Sequence, residues 1–257
     1  MSMVDIDERE SSSNRSLERA LHLLSILEET GRPLTLTEIS TKAQLQKPTV
    51  QRLLAVLERY GYSEKRHNRY HLGPVVLPLA YSYLLSNEVS QVSLPVLQEL
   101  AAASQETASL FVRIGYQRVV VQRVEGAHPL RYVLPIGRRL PLHMGVGKAL
   151  AAWLPIEEQK KLVQGLGVVH YAKGDTIQPE ALLEEFATVK RLGYAVSMNE
   201  REMGVASVAA PVFDSSGNIA AAISVAGSSA RIESKLDNLI VEVSRAAASV
   251  TERLSRL

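Results

Sequence analysis

The chain has 257 residues, of which 46% are hydrophobic and 22% charged; that suffices for two ordinary domains with real cores and excludes a disordered or collagen-like protein. Aromatic residues make up 5% and cysteine is absent, so Ala, Val, Leu and Ile must fill the cores, and disulfides, thiolate metal sites and cysteine nucleophiles are excluded together. The net charge of +2 is too mild to name a partner, which leaves the placement of the charges to decide.

The opening MSMVDIDERESSSNR carries mixed charge without an apolar core, so it is no secretory signal, and no stretch approaches the roughly 18 apolar residues of a membrane span. A cytoplasmic protein that meets no membrane is expected. Residues 1–13 are polar and aperiodic, the pattern of a flexible tail. From Ser16, which can act as N-cap, Leu17, Ala20, Leu21, Leu23, Leu24 and Leu27 recur at helical spacing until Gly31 and Pro33 stop the pattern. Thr35 or Thr37 can cap a shorter helix, TEISTKA, with Ile39 and Ala43 facing inward. After the break Gln44-Leu45-Gln46 a third helix is predicted from Pro48, suited to a first helical position, to about Tyr60. Val50, Leu53, Leu54 and Leu57 form its apolar face. Beyond Gly61 the period falls to 2, and two short runs around an Asn-containing turn, ending at Gly73, predict a hairpin. Three helices and a basic hairpin make the winged helix-turn-helix plan, here over 14–73.

Gly73-Pro74 marks a boundary, and 74–90 reads as a linker helix. Over 91–257 helices and strands alternate. ASLFVRIG and QRVVVQRVE read as strands around Gly115-Tyr116, LRYVL as a further strand, and VGKALAAWL, IEEQKKLVQ and PEALLEEFATVKRLG as helices. YAVSM, ASVAAPVF and NIAAAISVAG follow as strands, the last two joined at Asp214–Gly217, and KLDNLIVEVSRAAASVTERL closes the chain as an amphipathic helix. The fold class is therefore α+β, with a mainly antiparallel sheet in the second domain.

Between Lys42 and Arg69 seven basic residues face two acidic ones, Glu58 and Glu64, a local charge of +5 in a chain whose remainder is −3. The positive charge is thus concentrated on the segment whose helix pattern already suggests duplex binding. Phosphate contacts supply affinity, whereas sequence is read at base edges from the start of a recognition helix. The candidates for base contact are Lys47, Thr49, Gln51 and Arg52; Arg66, His67 and Arg69 on the hairpin suit backbone or minor-groove contact.

SLERALHLLSILEE, PLTLTEIS, LQKPTVQRLL and GYSEKRHNRYHLG resemble, in order and spacing, the N-terminal domain of IclR-type bacterial transcription regulators. RVEGAHPLRYVLPIGRRLPLHMGVGKALAAWLP, RLGYAV and GVASVAAPVFDSSGNIAAAISVAG are similar to the family's second domain, so the resemblance runs from about Ser16 to the C-terminus. It implies a winged helix-turn-helix joined by a linker helix to a GAF-like effector domain, in a homodimer or homotetramer on an inverted-repeat operator. It also implies a small organic acid as effector, held at the end of the sheet by the loop Leu142-His143-Met144-Gly145-Val146 and by Ser197, Ser207 and Ser224. Ser197 and Met198 stand where many members carry acidic residues, Ser207 where Cys is common, and Ala226 where some have Ser. With fewer polar groups, Phe111, Tyr132 and Met144 can enclose a larger ligand, aromatic ones included.

No enzymatic constellation competes: G-x-S-x-G, H-E-x-x-H and paired-cysteine patterns are missing. Gly145-Val146-Gly147-Lys148 has the look of a phosphate loop but has Leu142 where the first Gly belongs and Ala149 where Ser or Thr belongs. The resemblance instead makes it a pocket loop leading into a helix whose N-terminal amides can receive a carboxylate. His143 is expected to be structural or pocket-lining, and no metal or cofactor is expected. The rival reading is a sensing or protein-interaction module without DNA binding.

Overall fold

The computed structural model describes residues 3–256, with side chains from residue 14 onward. The chain divides after Tyr83 into two compact units. In the first, α1 (Met3–Thr30) begins well before Ser16, so Ser16 lies inside the helix and residues 3–13 continue its backbone instead of forming the expected tail. No glycine or proline interrupts 3–30, and Gly31, at φ +61°, ends the run. α2 (Leu36–Ala43) is capped by Thr35, not Thr37: the Glu38 amide donates to the Thr35 hydroxyl at 3.3 Å, and the Thr35 amide donates to the Glu38 carboxylate at 2.7 Å. Gln44, left-handed at φ +54°, turns the chain toward α3 (Lys47–Arg59). Pro48 becomes the second helical residue instead of the first, still within the turn whose amides have no intrahelical acceptor.

Leu23, Leu27, Ile39, Val50, Leu54 and Tyr70 are buried together, so three amphipathic faces and one hairpin residue share a core. β1 (Ser63–Arg66) and β2 (Arg69–Leu72) are joined by His67 and Asn68, both at positive φ (+48° and +60°), the two-residue turn whose twist matches that of the strands. Leu34 and Tyr70 exchange backbone hydrogen bonds at 3.0 and 2.7 Å, which stitches the hairpin to the segment between α1 and α2. α4 (Val76–Ser86) follows; the helix expected over 74–90 ends at Ser86, because Asn87 accepts the Ser90 amide at 2.8 Å and starts α5 (Glu88–Ser104).

The second unit continues through β3 (Thr107–Ile114), β4 (Gln117–Val124), β5 (Arg139–Pro141), α6 (Gly147–Ala151) and α7 (Ile156–Gln164). The pair β6 (Val169–His170) and β7 (Thr176–Ile177) leads to α8 (Pro179–Leu192). Next come β8 (Ala195–Met198), β9 (Val205–Phe213), β10 (Ile219–Ser228), α9 (Ser229–Ser234) and α10 (Leu236–Leu254). Six strands form one antiparallel sheet in the order β5–β4–β3–β10–β9–β8. LRYVL is not a strand; Pro129 and Pro135 bracket it and remove ladder donors, and Arg139–Pro141 takes the edge position. The helix expected from Val146 through Leu154 is confined to the five residues of α6.

Both faces of the sheet are covered. Leu97 and Leu100 of α5 and Val243 and Val250 of α10 pack on one face, against Leu110, Val208 and Ile223. Phe111, Val120, Ala209 and Ala222 face the other way, under Leu150, Leu182 and Phe186. Two covered faces explain why β3 and β9 are almost continuously buried where alternation would mark a one-sided sheet. Thr35→Ala should cost about 1 kcal/mol of local stability, read as roughly fivefold faster amide exchange in α2 than in the wild type.

Candidate functional site

The helical period that buries Val50, Leu53, Leu54 and Leu57 turns Lys47, Gln51 and Arg52 to solvent, with Thr49 half-buried beside them. Lys47, Gln51 and Arg52 make no side-chain hydrogen bond or ion pair among the described residues, so their donors are available to an outside partner. Arg66, His67 and Arg69 are exposed at the hairpin tip, but two of them are engaged. Arg66 pairs with Glu64 at 2.5 Å, while Arg69 lies 3.7 Å from Glu38 and donates to the Pro33 carbonyl at 3.3 Å. Exposed pairs of this kind are weak, so exchanging their carboxylates for phosphate is cheap.

In the second unit the strand register builds a polar floor. Ser197 pairs with Ser207, Ser207 with Ala226, and Ala226 with Thr107, one row across β8, β9, β10 and β3. The adjacent row runs Ala209, Ser224, Ser109. Because side chains two residues apart share a face, these hydroxyls point the same way as Phe111 and Ala222 further along the same strands. Above them opens a narrow cleft of about 40 Å³, bounded also by Arg118, Tyr132, Gly145, Val146 and Arg201.

The structure thus brings together Phe111, Tyr132, Gly145, Val146, Ser197, Ser207 and Ser224. Leu142 and Met144 do not line the cleft; both are buried in the apolar core. Sequence reading missed Arg118, Arg201, Thr107 and Ser109. Arg118 is 3% exposed and donates to the carbonyls of Pro141 and Met144; its guanidinium lies over the Phe111 ring at 5.6 Å, as Arg201 lies over Tyr132 at 5.5 Å. Burial first, and then the charge of Arg201, push the Arg118 pKa down to about 9, which leaves it cationic at neutral pH.

Two loops are fastened by one carboxylate. Glu200 accepts the Gly145 amide at 2.8 Å and pairs with Lys148 at 2.5 Å, and Lys148 also reaches Glu185 at 3.2 Å. The Gly147, Lys148 and Ala149 amides at the start of α6, expected to be able to receive a carboxylate, donate to the carbonyls of Met144, Gly145 and Val146 at 3.1 Å, and α6 is a single short turn. Gly145 sits at φ +59°, and a Cβ there would lie 3.1 Å from Arg118 Nη2. The segment carrying Tyr132 is held by Arg231, which pairs with Glu106 and donates to the Leu130 carbonyl at 3.2 Å.

His143 is buried at the back of this loop; burial, and next the charge of Arg118, hold its imidazole down to about 4, against an opposing pull from Glu200. The unfolded chain takes up this proton below about pH 6.5 whereas the folded chain does not until about pH 4, so stability falls as pH falls through that window. Between pH 7 and 5 the wild type should lose about 2 kcal/mol more than His143→Gln in urea denaturation.

Residues 16–67 match the model of the IclR helix-turn-helix domain, and residues 81–252 that of the bacterial transcriptional regulator IclR C-terminal domain. The HTH-type transcriptional repressor AllR of Escherichia coli is 30% identical over 221 residues, 85% of this chain and 82% of that protein. The crystal structure of an IclR transcriptional regulator from Silicibacter sp. TM1040 superposes with a TM-score of 0.83 at 26% identity, covering 93% of this chain and 96% of that one. An IclR homologue from Microbacterium hydrocarbonoxydans, complexed with 4-hydroxybenzoate, shares the fold at a TM-score of 0.76 and 21% identity, over 94% and 100% of the two chains. The helix-turn-helix match sets aside the reading of a module without DNA binding. The chain belongs to the IclR family of bacterial transcriptional regulators, and it is a DNA-binding regulator whose helix-turn-helix is the pair α2 and α3.

Proposed function

We propose that the protein binds an inverted-repeat operator in double-stranded DNA as a homodimer or homotetramer, and that a small carboxylate in the cleft, aromatic ones included, modulates that binding. The observation that carries the DNA half is the outward face of α3, where Lys47, Gln51 and Arg52 are exposed and uncommitted on a segment of charge +5. Lys47 and Arg52 suit guanine, Gln51 suits adenine in bidentate fashion, and the Thr49 methyl suits a thymine methyl. Arg66, His67 and Arg69 contact the backbone or minor groove. One such helix reads only a few base pairs, so selection among genomic sites calls for two half-sites and two copies of the chain. α4 supports the second copy: Val76–Ser86 has no charged residue, and Leu77, Leu79 and Tyr81 are exposed on it.

The ligand half rests on the cleft, whose hydroxyl floor and two guanidiniums meet the apolar walls of Phe111, Leu134 and Val146. The Microbacterium homologue's 4-hydroxybenzoate is a ligand of the kind such walls and cations accept. Occupancy regulates only to the extent that the ligand binds the operator-competent arrangement more or less tightly than the other. No metal or cofactor enters this reading.

Gln51→Ala should relax discrimination at one or two base positions by about 1–3 kcal/mol each. Gel-shift titration of single-base operator variants measures this, and unchanged discrimination refutes the assignment. Gly145→Ala, strained by its φ and crowding Arg118, should abolish ligand-dependent release of the operator while ligand-free affinity stays within about twofold, as expected for sites that couple only through ligand; a surviving response places the cleft's role elsewhere.

A further inference from the structure

The two edges of the six-stranded sheet differ in kind. β5 carries Arg139 and Pro141, a charge and a missing donor of the sort that keeps other strands away. β8, like Tyr194 before it, carries neither charge nor proline. The Asn199 amide donates to the Val205 carbonyl at 2.9 Å, and residues 195 and 197 share its parity toward β9. The amides and carbonyls of Val196 and Met198 therefore point away from β9, and they have no hydrogen-bond partner among the described residues. Just beyond, the Lys173 and Ala172 amides donate to the Asn199 and Glu200 carbonyls at 3.1 and 2.7 Å and close that end of the edge. Along the open stretch lies a groove of about 730 Å³, flanked by α8 through Glu184 and Thr188 and by α10 through Leu236 and Ile240. These helices cover opposite faces of the sheet, so both layers continue past β8 and bracket the place of a seventh strand. At strand and layer spacings of about 4.8 and 10 Å the groove holds about 15 Å of chain, or about four to five residues, and β8 has four.

We infer that this groove is a docking site for an extended segment of a partner protein, one in which apolar residues alternate with lysine or arginine and which joins the sheet beside β8. Side chains opposite Val196 and Met198 share their face, where Leu236 and Ile240 are half-buried, so every second residue of the segment is apolar. Its charge follows from the lining, in which Glu184, Glu185, Glu200 and Asp237 stand against Lys148 and Lys173, a net of −2. Lys148 is held by Glu200 and Glu185, and Lys173 by Asp175, whereas Glu184 and Asp237 are exposed and have no ion-pair partner among the described residues. A basic segment supplies the missing counter-charge. A second copy of this chain fits worse: its own edge would set −2 against −2, and its α8 and α10 would collide with the helices that overhang the groove. Main-chain bonds to Val196 and Met198 give the segment its affinity, and the alternating side chains give selectivity.

The test uses the full-length protein and fluorescence-anisotropy titration with labelled peptides of sequence KVKVKVK and EVEVEVE. The basic peptide should bind at least about tenfold more tightly than the acidic one, because like charges facing each other oppose docking. N-methylation of its valine amides, which face β8, should weaken binding about tenfold or more by removing main-chain bonds. N-methylation of its lysine amides, which face away, should change binding less than about twofold. Glu184→Lys together with Asp237→Lys, both at exposed positions, should weaken the basic peptide about fivefold. Val196→Pro removes an outward donor, a loss that an edge strand tolerates, and should leave the protein's own sedimentation unchanged while weakening the peptide. If that variant fails to fold, the peptide comparisons on the wild type still decide. Equal binding of the two peptides, equal effects of the two methylation patterns, or no binding of the basic peptide overturns the inference. A folded Val196→Pro protein that loses subunits shows that a second copy takes the edge, and overturns it as well.

Discussion

The carboxylate of Glu200 is the contact on which the cleft depends. It is 6% exposed, so its charge is tolerable only because Lys148 and the Gly145 amide meet it from one side of the cleft while its own backbone belongs to the other. Removing either partner of such a pair strands a buried charge, at a cost of about 3–5 kcal/mol. That penalty fixes the separation of the loops 142–147 and 199–204. The carboxylate also engages the Gly145 amide, which is thereby closed to any other acceptor.

Much of the N-terminal unit was legible because its determinants are short-range. Helical spacing, the Thr35 cap and the Asn-containing turn each act within a few residues, and each is read from neighbours in sequence. In the second unit the strands were legible but their partners were not. Arg118 sits within QRVVVQRV at the same parity as Val120, and since both faces of β4 are buried, that parity alone places its charge in the interior with Phe111; the signal was present and went unread. Glu200 offered no such signal, because its role arises from contacts made 52 and 55 residues away. Leu142 and Met144 share the loop of Gly145 in sequence, but membership of a loop does not tell which of its residues are buried in the core.

The two units divide the chemistry. The first carries cations that find weak or no partners within the fold, which suits contact with a polyanion whose grip varies with salt. In the second, the few buried charges are Glu106, Arg118, Lys148 and Glu200, of which Glu106, Lys148 and Glu200 meet an opposite charge. A chain whose overall charge is only +2 therefore holds its charges in opposite ways in its two units.

The stitch between Leu34 and Tyr70 has a mechanical result. It adds to the burial of Tyr70 among the helices and to the bond from the Ser63 hydroxyl to the Leu54 carbonyl, so that both strands of the hairpin are tied to the helical core. The hairpin tip and the outward face of α3 are thereby held in one rigid frame, like two teeth of a single key.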